Sequence, residues 1–211
     1  MKESSRKSAY GDAEARRRMT LDAAASLLDE GGYAALTIRS VAQRSGTSTG
    51  LIYQYFADKQ EIFVALLIES QIESTAFVAA LPRDRGVAAL IASVIPQSTR
   101  QWARVGRLTA TWSAIEGDAR YDRKSVVRLR DTSRLYDDAL HTALVEAASR
   151  EGRPLLDDPA LVRFVVSGLI GASETLTNNW APHLDPSNLI AFTADAITRG
   201  ITAPGTAEQS G

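Results

Sequence analysis

"SGTSTGLIYQYFADK", residues 45–59, packs two glycines, a run of small hydroxyls and three aromatics into 15 residues. A helix starting near Thr49 puts Ile52 and Phe56 (i, i+4) on one face and positions 50, 53 and 54 on the other. If packing were its only task, Ala at position 50 would be better than Gly by about 1 kcal/mol. Gly50 therefore reads as a point where the backbone must come close to something outside the chain. Just upstream, "TIRSVAQRSG" (residues 37–46) offers Thr37 as an N-cap, Ile38, Val41 and Ala42 as an inner face, and Gly46 as a stop. Two short helices joined by a glycine turn form a helix-turn-helix, whose second helix lays its N-terminal turn in the DNA major groove. On that reading Ser48 caps the second helix, and the helix start favours a phosphate. Tyr53 and Tyr55 reach phosphate oxygens through their hydroxyls, Gln54 pairs with base edges, and Lys59 offers a cation.

Working outward, Leu21, Ala24 and Leu28, with Leu27 beside them, give a first helix over about Glu14 to Glu30, ended by Gly31-Gly32. Residues 1–12 are polar, contain Gly11 and read as a flexible arm. Asp58 caps a long helix from Lys59 to about Leu81, where Pro82 stops it. From residue 83 every candidate element is a helix: about 84–100 (Pro96 a kink or break), 103–117, 122–151, 159–180 and 187–200. The breaks are Gly117-Asp118, "REGRPLLDDP" and "APHLDP". The expected fold is all-α: an arm over 1–12, a three-helix DNA-binding domain over 13–58, a helical domain over 59–201 and a disordered tail over 202–211.

Composition narrows the classes. The chain has 211 residues, 45 % hydrophobic and 23 % charged, with a net charge of −1. Residues 1–60 carry 9 Lys+Arg against 7 Asp+Glu, a mild excess of positive charge. With no Cys there is no disulfide, thiolate metal site or cysteine nucleophile. No apolar run approaches the ~20 residues of a membrane span, and the N-terminus has no signal-like apolar region. The expectation is a cytoplasmic protein with no membrane partner, metal or cofactor. His141 and His183 have no partner motif, and no phosphate loop or nucleophile elbow occurs, so catalysis is not expected.

The stretch "GYAALTIRSVAQRSGTSTGLIYQYFADKQEIF", residues 32–63, resembles the signature of the tetracycline-repressor-like (TetR) family of bacterial transcription regulators. Its markers here are Thr37, Arg39, Ala42, Gly46, Ser48, Gly50, Tyr53, Phe56 and Lys59. The resemblance implies that Thr37, Ser48, Tyr53 and Lys59 hold phosphates, while Thr49, Gly50, Leu51 and Gln54 face bases. Arg39, Thr47 and Tyr55 complete the implied DNA-binding set. Other roles stay open: Tyr53 packing on the first helix, Thr37 only capping, Lys59 merely solvated. Two positions depart from the family pattern. Thr49 stands where Lys is frequent and Tyr55 where His is frequent, which implies a shallower salt dependence of binding. Lys2, Arg6, Lys7 and Arg16 to Arg18 are placed to compensate.

The resemblance further implies a ligand-responsive repressor that binds a pseudo-palindromic double-stranded DNA operator as a homodimer. A small, largely apolar effector, acyl-CoA-like or another apolar compound, would release it. The alternative is a helix-turn-helix protein without a small-molecule effector. Gly168, Gly171 and Ala172 on one helix, with Ile190, Thr193 and Ile197 on the next, are candidates for a four-helix dimer interface or for packing within the chain. Trp102, Trp112, Glu116, Tyr136, Phe164 and Trp180 are candidates for a ligand wall or for plain core. The run Arg120, Arg123, Lys124, Arg128, Arg130 and Arg134 fits an anionic ligand group or a solvated helix face paired with Asp122 and Asp131.

Overall fold

The computed structural model describes residues 2–106, 108–109, 112 and 123–203, with side chains from residue 12 onward. The described residues form an all-α fold whose only extended pairing is an isolated bridge between Leu155 and Thr202. The helices are α1 (Lys2–Ala35), α2 (Ile38–Ser45), α3 (Thr49–Ile52), α4 (Lys59–Ala80) and α5 (Gly86–Gln101). A π-helical turn follows (Trp102–Gly106), then α6 (Lys124–Glu151), α7 (Leu161–Asn178) and α8 (Pro186–Ile201).

The chain divides into two compact units. Unit 1 is Met1–Glu69 with Leu108–Leu129, and unit 2 is Ser70–Arg107 with Arg130–Gly211. The division does not fall at residue 58, because the first half of α4 completes the unit 1 core. Leu21, Leu28, Val41, Ile52 and Phe56 are buried there together with Ile62, Phe63, Val64, Leu66 and Ile68 of α4. Trp112 and Val126 are buried in the same core, and Leu108 and Leu129 pack against it. In unit 2, α5 packs against α7 and α8. Its core joins Leu90, Ile91 and Ile95 of α5 to Leu140 and Leu144 of α6, Val165 and Leu169 of α7, and Ile197 and Ile201 of α8.

Several boundaries differ from the sequence reading. Helix α1 begins at Lys2 rather than near residue 14, since Lys, Glu, Ala and Arg are good helix formers and outweigh one Gly11. Gly32, at φ 65° and ψ −163°, breaks its end, where only glycine is at ease. Helix α5 runs through Pro96 without ending. Thr202 is buried and accepts from Arg153 (3.0 Å), and the Ala203 N–H donates to the Pro154 carbonyl (2.9 Å), so the expected tail does not begin at 202. Residues 204–211 lie outside the described residues. Contrary to the composition reading, α4 is long and apolar enough to cross a membrane by length and hydropathy alone. Ile62, Phe63, Val64, Leu66, Ile68 and Val78 are buried in the two protein cores, while Ile72 is exposed.

Candidate nucleic-acid interface

Local chemistry fixes each turn of the helix-turn-helix. Thr37 caps α2 through a reciprocal box: its Oγ1 accepts from the Ser40 N–H (3.0 Å), and Ser40 Oγ accepts from the Thr37 N–H (3.1 Å). Gly46 ends α2 in the left-handed region (φ 66°), and its N–H reaches back to the Ala42 and Gln43 carbonyls. Ser48 caps α3 by accepting from the Leu51 N–H (3.2 Å). Arg44, in the last turn of α2, grips both carboxylate oxygens of Glu30 at 2.7 Å, which ties α2 to α1 and holds Glu30 below its ordinary range. Arg44 is thereby engaged within the fold.

The second helix is shorter than its pattern suggests. After Ile52 the N–H groups of Gln54 and Tyr55 bond three residues back, to Leu51 and Ile52, so the chain passes through tight turns to the buried Phe56. Thr37, Arg39, Ser48, Thr49, Gly50, Tyr53 and Gln54 are exposed, Tyr53 at 57 %. The alternative of Tyr53 packing on α1 therefore does not apply. Thr47 and Leu51 are half-buried, and Thr47 Oγ1 bonds to Ser45 Oγ (3.1 Å). Tyr55 leans against the unit 1 core, so packing occupies part of a ring the sequence assigned to DNA.

Gly50 is the informative position. Its φ is not positive, and a Cβ built there would meet only Ser48 Oγ, at 3.9 Å. Nothing among the described residues requires glycine there, neither strain nor space. The missing side chain leaves open surface at the first turn of α3, between Thr49 and Tyr53.

Lys59 is the first residue of α4. Its Nζ sits 4.4 Å from the centroid of the Tyr33 ring, a cation–π contact of about 0.5–1 kcal/mol. Asp58, next to it, caps α4: Oδ1 accepts from the Glu61 N–H (3.0 Å), and Glu61 Oε2 accepts from the Ala57 N–H (2.8 Å). Arg123 Nη1 lies 2.6 Å from the other oxygen, Oδ2. Burial opposes ionisation of Asp58. The Arg123 guanidinium and the N–H groups of Glu61 and Gln60 outweigh it and hold the carboxyl below the usual carboxylate range. Sequence reasoning missed the Tyr33 and Arg123 contacts. Tyr33 stood only as the second residue of the quoted stretch 32–63, and Arg123 only as one of six cations in a run.

The reserve of arm cations is partly spent. Arg18 bonds to Asp22 and Glu69, and Arg17 pairs with Glu69 (3.7 Å) and lies over the Phe56 ring (5.5 Å). Arg16 is exposed, while the side chains of Lys2, Arg6 and Lys7 lie outside the described residues.

The described candidates for a ligand wall divide between the two units. Trp112 belongs to the unit 1 core, edge-on to Phe63 at 5.9 Å between centroids. Trp102 is half-buried in unit 2, and Tyr136 is buried in its core. Phe164 (51 % exposed) and Trp180 (73 %) are on the exterior, which removes them from an interior wall. Glu116, Arg120 and Asp122 lie outside the described residues. Of the candidate dimer residues, Ala172 and Ile197 are core, and a Cβ on Gly168 would come 2.7 Å from Ile197 Cδ1. These three serve contact between α7 and α8 within the chain. Ile190 is half-buried against that core, Thr193 is half-buried, and Gly171 is open.

Comparison with known proteins agrees with this geometry. Residues 21–66 match the family described as bacterial regulatory proteins, tetR family. The chain is 46 % identical over 54 residues to the transcriptional regulator HbdR of Aromatoleum sp. (strain CIB), covering 26 % of this chain and 24 % of that one. It is 33 % identical over 76 residues to the transcriptional repressor KstR of Mycobacterium tuberculosis (strain ATCC 25618 / H37Rv), covering 33 % of this chain and 34 % of the repressor. The matches to these two relatives thus span only a quarter to a third of their length. A longer match, 30 % identical over 173 residues, joins 75 % of this chain to 86 % of the transcriptional regulator BetI of Paraburkholderia xenovorans (strain LB400). The fold and its exposed helix-turn-helix are those of a bacterial transcriptional regulator. The chain belongs to the TetR family. Among solved structures, a protein of unknown function from Rhodococcus sp. RHA1 superposes with a TM-score of 0.69 at 18 % identity, over 89 % of this chain and 96 % of that one. The regulator FadR from Bacillus subtilis in complex with stearoyl-CoA does so at 0.61 and 18 %, over 87 % and 98 %. Those two likenesses establish the fold.

Proposed function

We propose that the chain is a repressor that binds a pseudo-palindromic DNA operator as a homodimer and is released by a small, largely apolar effector. The observation that carries the DNA-reading part is Gly50. A helix-start glycine that the fold does not need, flanked by exposed Thr49, Tyr53 and Gln54, suits close approach to a groove. Thr49, Gly50, Leu51 and Gln54 then face bases. Thr37, Arg39, Thr47, Ser48, Tyr53 and Lys59 meet the backbone, and Tyr55 reaches it with its hydroxyl.

The dimer draws support from apolar side chains left exposed on α7 and α8: Phe164, Ile170 and Phe192, beside the open Gly171. The effector draws support from unit 2. Trp102 Nε1, Ser74 Oγ and Thr177 Oγ1 are buried there without a hydrogen-bond partner among the described residues, an arrangement a ligand could complete. FadR's stearoyl-CoA makes a fatty-acyl thioester a reasonable first probe.

The test is selection of binding sites from random DNA by the purified protein at near-physiological salt. Enrichment of one pseudo-palindrome with half-sites about 34–36 Å apart supports a two-fold reader. A pool that never rises above salt-sensitive background overturns it.

A further inference from the structure

Two consecutive residues at the start of α4, Asp58 and Lys59, are each held by a different device. Both devices lead to the same distant stretch of chain. The polar one is direct: Arg123 Nη1 grips Asp58 Oδ2 at 2.6 Å, while Oδ1 caps the α4 N-terminus through the Glu61 N–H. The Arg123 carbonyl in turn accepts from the Val126 and Val127 N–H groups (3.0 and 3.1 Å), which fixes Arg123 at the start of α6. The apolar device is a relay of rings. Lys59 Nζ lies over Tyr33, Tyr33 meets Phe63 edge-on at 5.2 Å, and Phe63 meets Trp112 edge-on at 5.9 Å. Tyr33, Phe63 and Trp112 are each at most 3 % exposed, so a shift of one ring must be taken up by the next.

Trp112 and Arg123 both lie within residues 108–129. This stretch belongs to unit 1, yet the chain enters it from unit 2 at residue 107 and leaves into unit 2 at residue 130. Leu108, Val126 and Leu129 add apolar contacts with the unit 1 core.

We infer that Arg123 and Trp112 set the phosphate-facing end of the helix-turn-helix, as positioning residues that act on operator binding through Asp58 and Lys59. The inference rests on the operator-reading proposal and deepens it. Lys59 is the first residue of α4, so the Asp58 cap fixes its backbone and the Tyr33 face fixes its ammonium. Arg123 keeps Asp58 in the rotamer that caps. Without Arg123 the carboxylate is free to turn to water, the first turn of α4 frays, and Lys59 leaves its place.

The experiment uses the full chain and its selected operator. Binding is measured across a salt series for wild type, R123M, R123K, K59M and the double variant R123M/K59M, with thermal unfolding alongside. R123M is expected to weaken operator binding roughly three- to tenfold. K59M is expected to reduce the slope of log affinity against log salt by about two, the signature of one lost phosphate contact in each half-site of the dimer. R123M should reduce it in the same direction. On the K59M background, R123M should cost nothing further, and R123K should restore most of the binding. In a second arm W112L weakens binding while W112F, which keeps a ring against Phe63, does not.

Wild-type affinity in R123M overturns the inference. So does a loss of equal size with and without Lys59, because that marks a general structural role. Failure of the wild type to select any operator takes down the DNA-reading proposal and this inference with it. A wild type that binds while R123M is indistinguishable takes down the inference alone.

Discussion

Gly50 in unit 1 and Gly168 in unit 2 sit in helices with ordinary backbone angles, yet their surroundings are opposite. A methyl on Gly168 would press on Ile197 Cδ1 at 2.7 Å, whereas one on Gly50 would meet only Ser48 Oγ, at an unstrained 3.9 Å. Unit 2 uses Gly168 to bring two of its own helices together. Gly86 goes further: at φ 85° it leaves room for the Glu151 carboxylate, which accepts from the Val87 N–H (3.0 Å) at the start of α5. Unit 1 spends Gly50 on nothing inside itself. A glycine with internal neighbours reports on packing; one without them, in a helix that would be stabler with Ala, reports on what lies outside.

The largest effect should come from Gly86→Ala. The new methyl overlaps the Glu151 carboxylate, breaks its cap on α5 and must hold a left-handed φ. Together these should cost about 2–4 kcal/mol of stability. Chemical denaturation checks this. A stability loss under 1 kcal/mol would mean that Glu151 caps α5 only incidentally.

Gly50→Ala should cut operator affinity by about tenfold or more, through lost close approach to the groove. Thermal stability should stay unchanged or rise by up to about 1 kcal/mol. Opposite signs for binding and stability are the signature. If both fall together, Gly50 serves the fold and the contrast with Gly168 disappears. Gly168→Ala should do the reverse at smaller scale, losing about 1 kcal/mol of stability as Ile197 gives way. Operator affinity per folded molecule should be unmoved.

This contrast also explains what the sequence made legible. The helix-turn-helix residues 37–59 are neighbours in the chain, so caps, stops and the i, i+4 faces could be read from spacing alone. Thr37, Gly46, Ser48, Ile52 and Phe56 stand where that spacing put them. The capping of α4 by Asp58 was equally local. The aromatics of the supposed ligand wall come from positions 102 to 180, and spacing within one helix cannot say which of them converge. Trp112 joins Phe63 in the other unit, Tyr136 goes into the unit 2 core, and Phe164 and Trp180 go outside. The small residues of α7 misled for a related reason. Gly168 and Ala172 do permit close helix approach, but sequence cannot tell a helix of the same chain from one of a partner, and Ile197 fills the space. The grip of Arg123 on Asp58 joins residues 65 apart, beyond the reach of any local pattern.

The smallest effect concerns Tyr136, the interior aromatic of unit 2. Burial pushes its phenol up to about 12, and a hydrogen bond with Ser98 only partly opposes this. An unfolded tyrosine loses its proton near pH ~10. Between these values the native state therefore holds a proton that the unfolded state releases, and stability falls as pH rises. The contribution is fully present below pH ~10 and is lost as pH passes through about 12. Tyr136→Phe removes the Ser98 bond, so at pH ~8 it should be less stable than wild type by about 1 kcal/mol. It has no proton to lose, so it should be less sensitive to alkali. Denaturant unfolding of the two proteins across the alkaline range should show the wild-type advantage shrinking and then reversing towards pH 12. Parallel curves would mean that the phenol ionises as an exposed tyrosine does. Tyr136 would then face a solvated cavity rather than packed side chains, as a residue of a ligand wall does.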